Sequence, residues 1–214
     1  MNNLAARGKF ITFEGIDGSG KSTQLRLIAN DLRFRGLTVL TTHEPGGTPL
    51  GRKLRETFLE TDDTVDPLAE LLLFAADRAQ HVNFLIKPAL SEGKIVISDR
   101  YADATYAYQG AGRGFSRDVI EQVINLATGG LKPDLTLFFD LPVDTALSRT
   151  DVRSDSGEQK NRMDKEKADF YERVRAAYLT LAAQEPHRFR IIDAEKSIEQ
   201  VHTTALQTIS DFLG

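Results

Sequence analysis

The chain has 214 residues, a length that suits one domain with a buried core and at most a small insertion. Its net charge of -4 argues against a protein that grips a nucleic-acid backbone, and the lack of cysteine excludes disulfides, cysteine-bound metals and a thiol nucleophile. No stretch is apolar for long enough to span a bilayer, and the short polar N-terminus lacks a secretory signal, so we expect a cytoplasmic protein.

Short β-like runs alternate with longer stretches of helical periodicity along the whole chain. The predicted strands are 10–13, 37–40, 95–97, 135–139 and 188–192. The predicted helices are 21–35, 51–59, 67–90, 116–128, 164–184 and 198–213. We expect Pro88 to kink or end the third of these helices. This alternation predicts an α/β protein with a parallel sheet and helices on both of its faces.

Residues 150–162 are polar and charged, with almost no apolar side chains to bury. We therefore expect this segment to be exposed and mobile. No other stretch looks like a linker between separate folding units. The sequence predicts one domain over 1–214, with 150–162 as a lid.

The segment Gly15-Ile-Asp-Gly-Ser-Gly-Lys-Ser22 follows a predicted strand and opens a predicted helix. This is the phosphate-loop pattern, in which glycines let backbone N–H groups turn towards phosphate oxygens and the helix N-terminus adds positive potential. Lys21 would reach the β- and γ-phosphates, and Ser22 would offer its hydroxyl to Mg²⁺. We expect the ATP site to include Gly15, Ile16, Asp17, Gly18, Ser19, Gly20, Lys21, Ser22 and Thr23.

Three carboxylates near this loop need an interpretation. Asp17 would repel a triphosphate, so it is either a solvated loop residue or a group that faces a second substrate. Asp99 and Asp140 each end a predicted strand, and either could hold the water shell of Mg²⁺. We favour Asp99 because Arg100 follows it, where an arginine fork suits a bound phosphate, and we expect Asp140 to cap the next helix.

Four more motifs follow in order: Glu44-Pro-Gly-Gly47, Phe74 with Arg78, Asp99-Arg-Tyr101 and Tyr108-Gln-Gly110. Alone, Phe74 and Arg78 could be a core residue and a surface residue on one helix face. Together with the phosphate loop, the set resembles bacterial thymidylate kinase from Phe10 to the terminal helix. The resemblance implies a three-layer P-loop NTPase fold with five parallel strands, a homodimer, and Mg²⁺-dependent transfer of the ATP γ-phosphate to dTMP for dTTP synthesis.

The resemblance also implies roles in the acceptor site. Phe74 would stack on thymine, Arg78 would bond a ring oxygen, and Tyr108 would select deoxyribose. Asp17 would take the 3′-hydroxyl, and the dTMP phosphate would be held by two arginines. The implied dTMP-binding residues are Asp17, Glu44, Pro45, Arg55, Phe74, Arg78, Arg100, Thr105, Tyr108 and Gln109.

The catalytic residues implied by the resemblance are Lys21, Asp99, Arg100 and Arg153. Three arginines, Arg149, Arg153 and Arg162, fall in the segment where the family closes a lid over ATP; we assign Arg149 to ATP binding and Arg153 to catalysis. Two departures from the family pattern stand out. His43 replaces an arginine before Glu-Pro-Gly-Gly, and residues 161–164 read Asn-Arg-Met-Asp where Asp-Arg, an aromatic residue and an acid are usual.

The acceptor phosphate would need no general base, since a phosphate monoester with a second pKa of about 6 is mostly a dianion at pH 7. No histidine–carboxylate pair stands out, and we interpret His81, His187 and His202 as surface or packing residues. One alternative is a deoxynucleoside kinase, which would have Glu-Arg-Ser where this chain has Asp99-Arg-Tyr101. Another is a nucleotide-dependent switch protein, but the guanine-reading sequence Asn-Lys-x-Asp is absent.

Overall fold

Five parallel strands form the centre of the molecule. The computed structural model describes residues 7–61, 63–155, 162–163 and 166–214, and for 153–155 the backbone alone. The strand order is β2-β3-β1-β4-β5, which confirms the predicted five-stranded parallel sheet. The strands are β1 (Phe10–Glu14), β2 (Val39–His43), β3 (Ile95–Asp99), β4 (Leu135–Asp140) and β5 (Phe189–Asp193).

Helices connect the strands and cover the sheet. Those in the described residues are α1 (Lys21–Phe34), α2 (Pro49–Leu59), α3 (Pro67–His81), α4 (Lys87–Ser91), α5 (Ala102–Thr105), α6 (Arg117–Thr128), α7 (Val143–Asp155), α8 (Ala168–Gln184) and α9 (Ile198–Leu213). Two π-helical segments, Val82–Ile86 and Tyr106–Gly112, join α3 to α4 and extend α5. None of the helices in the part of the chain described here has the length and apolar character needed to cross a membrane.

Two clusters of buried side chains fill the space around the sheet. Phe10 of β1 packs with residues of α3, α4 and α6, whereas the next residue, Ile11, packs with those of α1, α8 and α9. Successive residues of a strand point to opposite faces. The sheet is therefore buried on both sides, and its strands end in a shared edge where the polar motifs meet.

Several observed elements differ from the predicted ones for local reasons. The second strand is β2, later than 37–40, because Thr41 and Thr42 interrupt its apolar pattern. The predicted helix 67–90 contains the π-helical segment Val82–Ile86, after which Pro88 lies in the first turn of α4. The helical stretch 102–112 was not predicted, since its glycines mask the periodicity.

The first residues of the predicted lid, 150–155, belong to α7. Within this part of the helix, Asp151 and Val152 are exposed to solvent. The remainder of the predicted lid, 156–161, lies outside the described residues.

Candidate active site

The phosphate loop joins β1 to α1 with a backbone that only glycine adopts easily. Gly15, Gly18 and Gly20 have φ values of 144°, 84° and 86°, in the region disfavoured for other residues. A Cβ atom on Gly18 would also lie 2.5 Å from the carbonyl oxygen of Ala146. The loop shape therefore depends on these glycines, and it leads directly into the N-terminus of α1, where anions bind well.

Lys21 is the buried cation of this loop. Its Nζ donates hydrogen bonds to the Ile16 carbonyl at 2.9 Å and to Ser19 Oγ at 3.4 Å. Burial, followed by the positive charge of Arg100, lowers the pKa of Lys21 to about 8. The ammonium group is thus held against the loop, in a place where a phosphate would supply the missing negative charge.

Ser22 and Asp99 meet beside the loop, as a shared metal site requires. Ser22 Oγ donates a hydrogen bond of 2.6 Å to Asp99 Oδ2, because pairing of β1 with β3 sets Asp99 opposite Phe13. The described residues contain no group of three acidic, histidine or cysteine ligands. Two oxygen ligands still fit Mg²⁺, which usually keeps waters and substrate phosphates as its other ligands.

Asp140 is not a helix cap, contrary to the prediction. Its two carboxylate oxygens accept hydrogen bonds from Arg175 Nε and Nη2 at 2.6 and 2.9 Å. The arginine comes from α8, far along the chain, so the local sequence could not indicate it. Asp140 therefore ties β4 to α8, and Asp99 is left as the strand-end carboxylate that contacts Ser22.

Arg100 turns back across the sheet edge in an unusual conformation. Among the described residues it is the one non-glycine residue with a positive φ, 71°. The turn is held by a hydrogen bond of 2.9 Å from Arg100 N to the Phe13 carbonyl and one of 2.8 Å from Tyr101 N to Glu14 Oε1. Such a conformation costs on the order of 1–2 kcal/mol and persists only when its surroundings enforce it.

This conformation directs the Arg100 side chain to the phosphate loop. Its Nη2 donates a hydrogen bond of 2.8 Å to Asp17 Oδ1, and its guanidinium lies 4.8 Å from the centre of the Tyr108 ring. Burial by itself would lower the pKa of Arg100. Neighbouring groups, among which the negative charge of Asp17 contributes most, together outweigh this effect and raise the pKa above its usual value, so the side chain stays charged. Asp17 and Arg100 thus form the boundary between the phosphate loop and the cleft beside it.

That cleft brings together all ten residues expected to bind dTMP. They are Asp17, Glu44, Pro45, Arg55, Phe74, Arg78, Arg100, Thr105, Tyr108 and Gln109. Three further lining residues, Leu59, Ala104 and Met163, were not foreseen. Ala104 could have been found from its neighbour Thr105 had α5 been predicted, whereas no sequence signal indicated the other two.

Arg78 organises the inner end of the cleft. Its Nε donates to Glu44 Oε2 at 2.8 Å, Nη1 to Thr105 Oγ1 at 2.7 Å, and Nη2 to the Tyr101 carbonyl at 3.0 Å. Phe74, one turn earlier on α3, packs edge-on against Phe58 with ring centres 4.9 Å apart. The guanidinium is therefore fixed in direction by buried partners.

Glu44 is held from its other side by a histidine. His81 Nδ1 and Glu44 Oε1 are 2.8 Å apart, and His81 Nε2 lies 2.7 Å from Thr42 Oγ1. His81 is fully buried, so it orients Glu44 and is not a surface residue. Burial would raise the pKa of Glu44, but Arg78 and His81 outweigh it and lower the pKa below its usual value.

Arg55 is a further cation of the cleft, besides Arg78 and Arg100. Arg55 lines the cleft and donates from Nη1 to the Pro45 carbonyl at 3.3 Å. His43, which replaces the family's arginine, lies in a neighbouring hollow with Ser22 and Asp99. Burial and then Arg55 lower the pKa of His43. At pH 7 this position is therefore neutral.

The three arginines assigned to the lid occupy different places. Arg149 Nη1 contacts the Gly18 carbonyl at 3.4 Å, beside the phosphate loop. Arg162 instead lies on the acceptor side, where its Nε donates to the Phe58 carbonyl at 3.1 Å. For Arg153 only the backbone position, in α7, is described.

A phosphate loop on a parallel sheet, opening into a cleft with a buried arginine cluster, defines a P-loop enzyme of phosphoryl transfer. Residues 13–205 match the family model described as "Thymidylate kinase". Thymidylate kinases from Trichlorobacter lovleyi and Methylococcus capsulatus are 50% and 48% identical over 90% and 97% of this chain, and over 92% and 97% of their own lengths. The crystal structure of thymidylate kinase from Ehrlichia chaffeensis has a TM-score of 0.75 and 35% identity, over 95% of this chain and 99% of its own. The chain belongs to the thymidylate kinase family.

Proposed function

We propose that this protein transfers the γ-phosphate of ATP to the phosphate of dTMP, which yields ADP and dTDP for dTTP synthesis. The observation that carries the proposal is the position of the acceptor cleft. It opens directly onto the phosphate loop, and the Asp17–Arg100 pair forms the shared wall. A donor and an acceptor bound in these two places would have their phosphates face to face, and such alignment supplies much of the rate in phosphoryl transfer.

On the donor side, Lys21 would bind the β- and γ-phosphates and stabilise charge as the γ-phosphoryl group leaves. Ser22 and Asp99 would hold Mg²⁺, directly or through water, at the place where their oxygens now meet. These two residues would hold the ion where it could neutralise charge on the ATP phosphates. Arg149 would extend this positive lining along the loop.

On the acceptor side, Arg55 and Arg100 would bind the dTMP phosphate and aim one of its oxygens at ATP. That oxygen is already unprotonated in most dTMP molecules at pH 7, since the second phosphate pKa is about 6. Asp17 would receive the 3′-hydroxyl while Arg100 turns to the phosphate. The chain therefore needs to orient and neutralise charge rather than remove a proton.

A deoxynucleoside kinase would need more than this site offers. Its acceptor is a neutral hydroxyl, which benefits from a carboxylate base. Glu44 is the buried carboxylate of the cleft, but both of its oxygens are engaged by Arg78 and His81 and its pKa is lowered. A carboxylate so stabilised is a weak base, which favours the monophosphate as acceptor.

Arg153 would complete the donor site. It lies four residues after Arg149 on α7, so the two share a helix face, and Arg149 already contacts the phosphate loop. From this face Arg153 would reach the transferring phosphoryl group and stabilise its charge, mainly in the transition state. We assign the catalytic role to Arg153 and a binding role to Arg149.

The protein would act as a homodimer in the cytoplasm, where ATP is plentiful. Leu68 and Leu72 lie one turn apart on α3 and are about half exposed, at 50% and 53%, and Leu126 on the adjacent α6 is 87% exposed. A second copy would cover this apolar face. Sedimentation velocity should show a dimer that Leu72→Asp converts to a monomer, whereas Leu50→Asp on α2 should not; a dimeric Leu72→Asp would place the interface elsewhere.

An assay of ADP release tests the activity. With ATP and Mg²⁺, the protein should turn over rapidly with dTMP and at no more than background with thymidine. Rapid turnover with thymidine and none with dTMP would make it a nucleoside kinase. ADP release without any acceptor dependence would make it an ATPase.

A further inference from the structure

Glu70 is a buried carboxylate of α3 that the phosphoryl-transfer chemistry does not use. Its side chain is fully buried and accepts hydrogen bonds from Gln109 Nε2 at 2.9 Å, from Arg113 Nε and Nη2 at 3.2 Å each, and from Arg162 Nη2. Burial would raise the pKa of Glu70, but these bonds outweigh it and lower the pKa. Glu70 is thus an ionised acceptor surrounded by donors.

This carboxylate fixes the direction of the Gln109 amide. An ionised carboxylate can only accept hydrogen bonds, so Gln109 must present its NH₂ group to Glu70. The amide oxygen Oε1 is then turned away from Glu70. Because Gln109 lines the acceptor cleft, Oε1 is the amide atom available to a ligand there, and the cleft offers an acceptor at this point.

Two neighbouring side chains of the cleft, Arg78 and Thr105, offer donors. Arg78 can only donate. Thr105 Oγ1 accepts from Arg78 Nη1 at 2.7 Å, which leaves its own hydrogen free to point at a ligand. The inner end of the cleft therefore combines the donors of Arg78 and Thr105 with the acceptor of Gln109.

Of the two pyrimidines thymine and cytosine, only thymine has the donors and acceptors on its edge that match this pattern. Thymine places a ring carbonyl, an acceptor, next to N3–H, a donor. Cytosine reverses both, with an amino group beside an unprotonated N3. A site built to hydrogen-bond one edge rejects the other strongly, since its buried polar groups would be left unpaired.

We propose that Glu70 is a positioning residue that sets base selectivity by locking the Gln109 amide with its oxygen towards the bound pyrimidine. The proposal deepens the proposed function and rests on dTMP binding in this cleft. Arg113 and Arg162 hold Glu70 ionised and in place, so the selectivity for a ring with N3–H is maintained by residues that do not touch the base.

The test compares dissociation constants for dTMP and dCMP, measured by calorimetry without ATP. Glu70→Gln keeps the shape but can donate or accept, so the Gln109 amide can flip. We expect the preference for dTMP over dCMP to fall by about tenfold or more. Glu166 also pairs with Arg113, at 2.6 Å, and Glu166→Gln is the matched control; it should change the preference less than about twofold.

A double-mutant cycle separates positioning from general damage. Gln109→Met removes both polar atoms without uncovering a buried charge, and by itself it should reduce the preference to a similar extent. In this background Glu70→Gln should have no further effect on the ratio. The proposal would be overturned if Gln109→Met left the preference for dTMP over dCMP unchanged. It would also be overturned if Glu70→Gln had its full effect on this preference in the Gln109→Met background. The first of these results can be obtained even if Glu70→Gln alone is too unstable to measure.

Binding and turnover also separate this proposal from the proposed function. A wild-type protein that prefers dTMP in binding, and loses the preference as described, supports the role of Glu70 whether or not it transfers phosphate. A wild-type protein that transfers phosphate to dTMP while Glu70→Gln keeps the full preference refutes the role of Glu70 alone. No preference for dTMP in the wild type refutes it as well.

Discussion

The donor loop and the acceptor cleft are built by different means. The donor loop is eight consecutive residues whose backbone shape is set by glycines at positive φ. The cleft is assembled by side chains from several helices and loops, with bonds such as Arg78 to Glu44 and Gln109 to Glu70 across 34 and 39 residues of sequence. A backbone site can be recognised in a short motif, whereas a side-chain network exists only once the chain has folded.

The two regions meet at a single strained residue. Arg100, which follows β3, has a positive φ like the glycines of the donor loop, and its side chain lines the cleft. Its conformation is enforced from β1, through Phe13 and Glu14. We therefore expect variants of the donor loop to change turnover and variants of the cleft to change dTMP affinity and stability. Few positions should change both.

Lys21→Ala should have the largest effect. It removes the cation on the transferring phosphates, and we expect kcat to fall on the order of a thousandfold or more. Binding of dTMP, measured by calorimetry, should change little because Lys21 does not line the cleft. Lys53→Ala, on the exposed face of α2, is the control and should leave both values unchanged; near-normal turnover by a folded Lys21→Ala would remove the role of the loop.

Arg78→Met should damage the cleft and the fold together. It leaves Glu44 buried without its main partner, a loss of about 3–5 kcal/mol in the free energy of unfolding. Adding Glu44→Gln removes the stranded charge, so chemical denaturation should show recovered stability. The KM for dTMP should stay raised in the double variant, with the KM for ATP near normal. A raised KM for ATP instead would show that the two regions are not separate.

Arg153→Ala should lower kcat on the order of a hundredfold, since its contact forms mainly in the transition state, and should change the KM for dTMP little. Arg162→Ala is the informative comparison, because Arg162 bonds Glu70 and the Phe58 carbonyl on the acceptor side. It should raise the KM for dTMP while kcat stays within a few-fold. The reverse pattern would exchange the two assignments.

The buried carboxyl group of Asp77 should make the stability of the fold depend on pH. It accepts a hydrogen bond from Gly46 N at 3.1 Å, and burial, then Glu44, raises its pKa from 3.8 to about 6. Because its pKa is higher in the folded state, this group stabilises the fold below pH 4, and that stabilisation is lost as the pH rises through about 6.

Asp77→Asn should therefore be more stable than the wild type at pH 7, by up to about 3 kcal/mol, and equal to it below pH 4. Urea denaturation across this pH range measures the difference. Asp63→Asn, in an exposed loop, should show no such trend. A less stable Asp77→Asn at pH 7 would mean that the ionised carboxylate is needed to support the loop at Gly46.

The difference between the donor loop and the cleft also decides which parts of the molecule could be predicted from the sequence. The sheet and the donor loop were predictable, because periodicity and glycine spacing are local properties. The ten cleft residues were found through resemblance, and the sequence alone left Phe74 and Arg78 open to an ordinary core and surface interpretation. The pairing of His81 with Glu44 and the role of Glu70 were not foreseen, since they depend on partners such as Glu44 and Arg162, which lie 37 and 92 residues away.

The most direct test of the whole account follows the phosphate itself. The protein is incubated with Mg²⁺, dTMP and ATP labelled in its γ-phosphate, and the nucleotides are separated by chromatography. We expect the label to appear in the β-phosphate of dTDP, one for each ADP formed, and Lys21→Ala to abolish this transfer. Label released as free phosphate, or dTMP that remains unlabelled and unconverted while ADP accumulates, would contradict it.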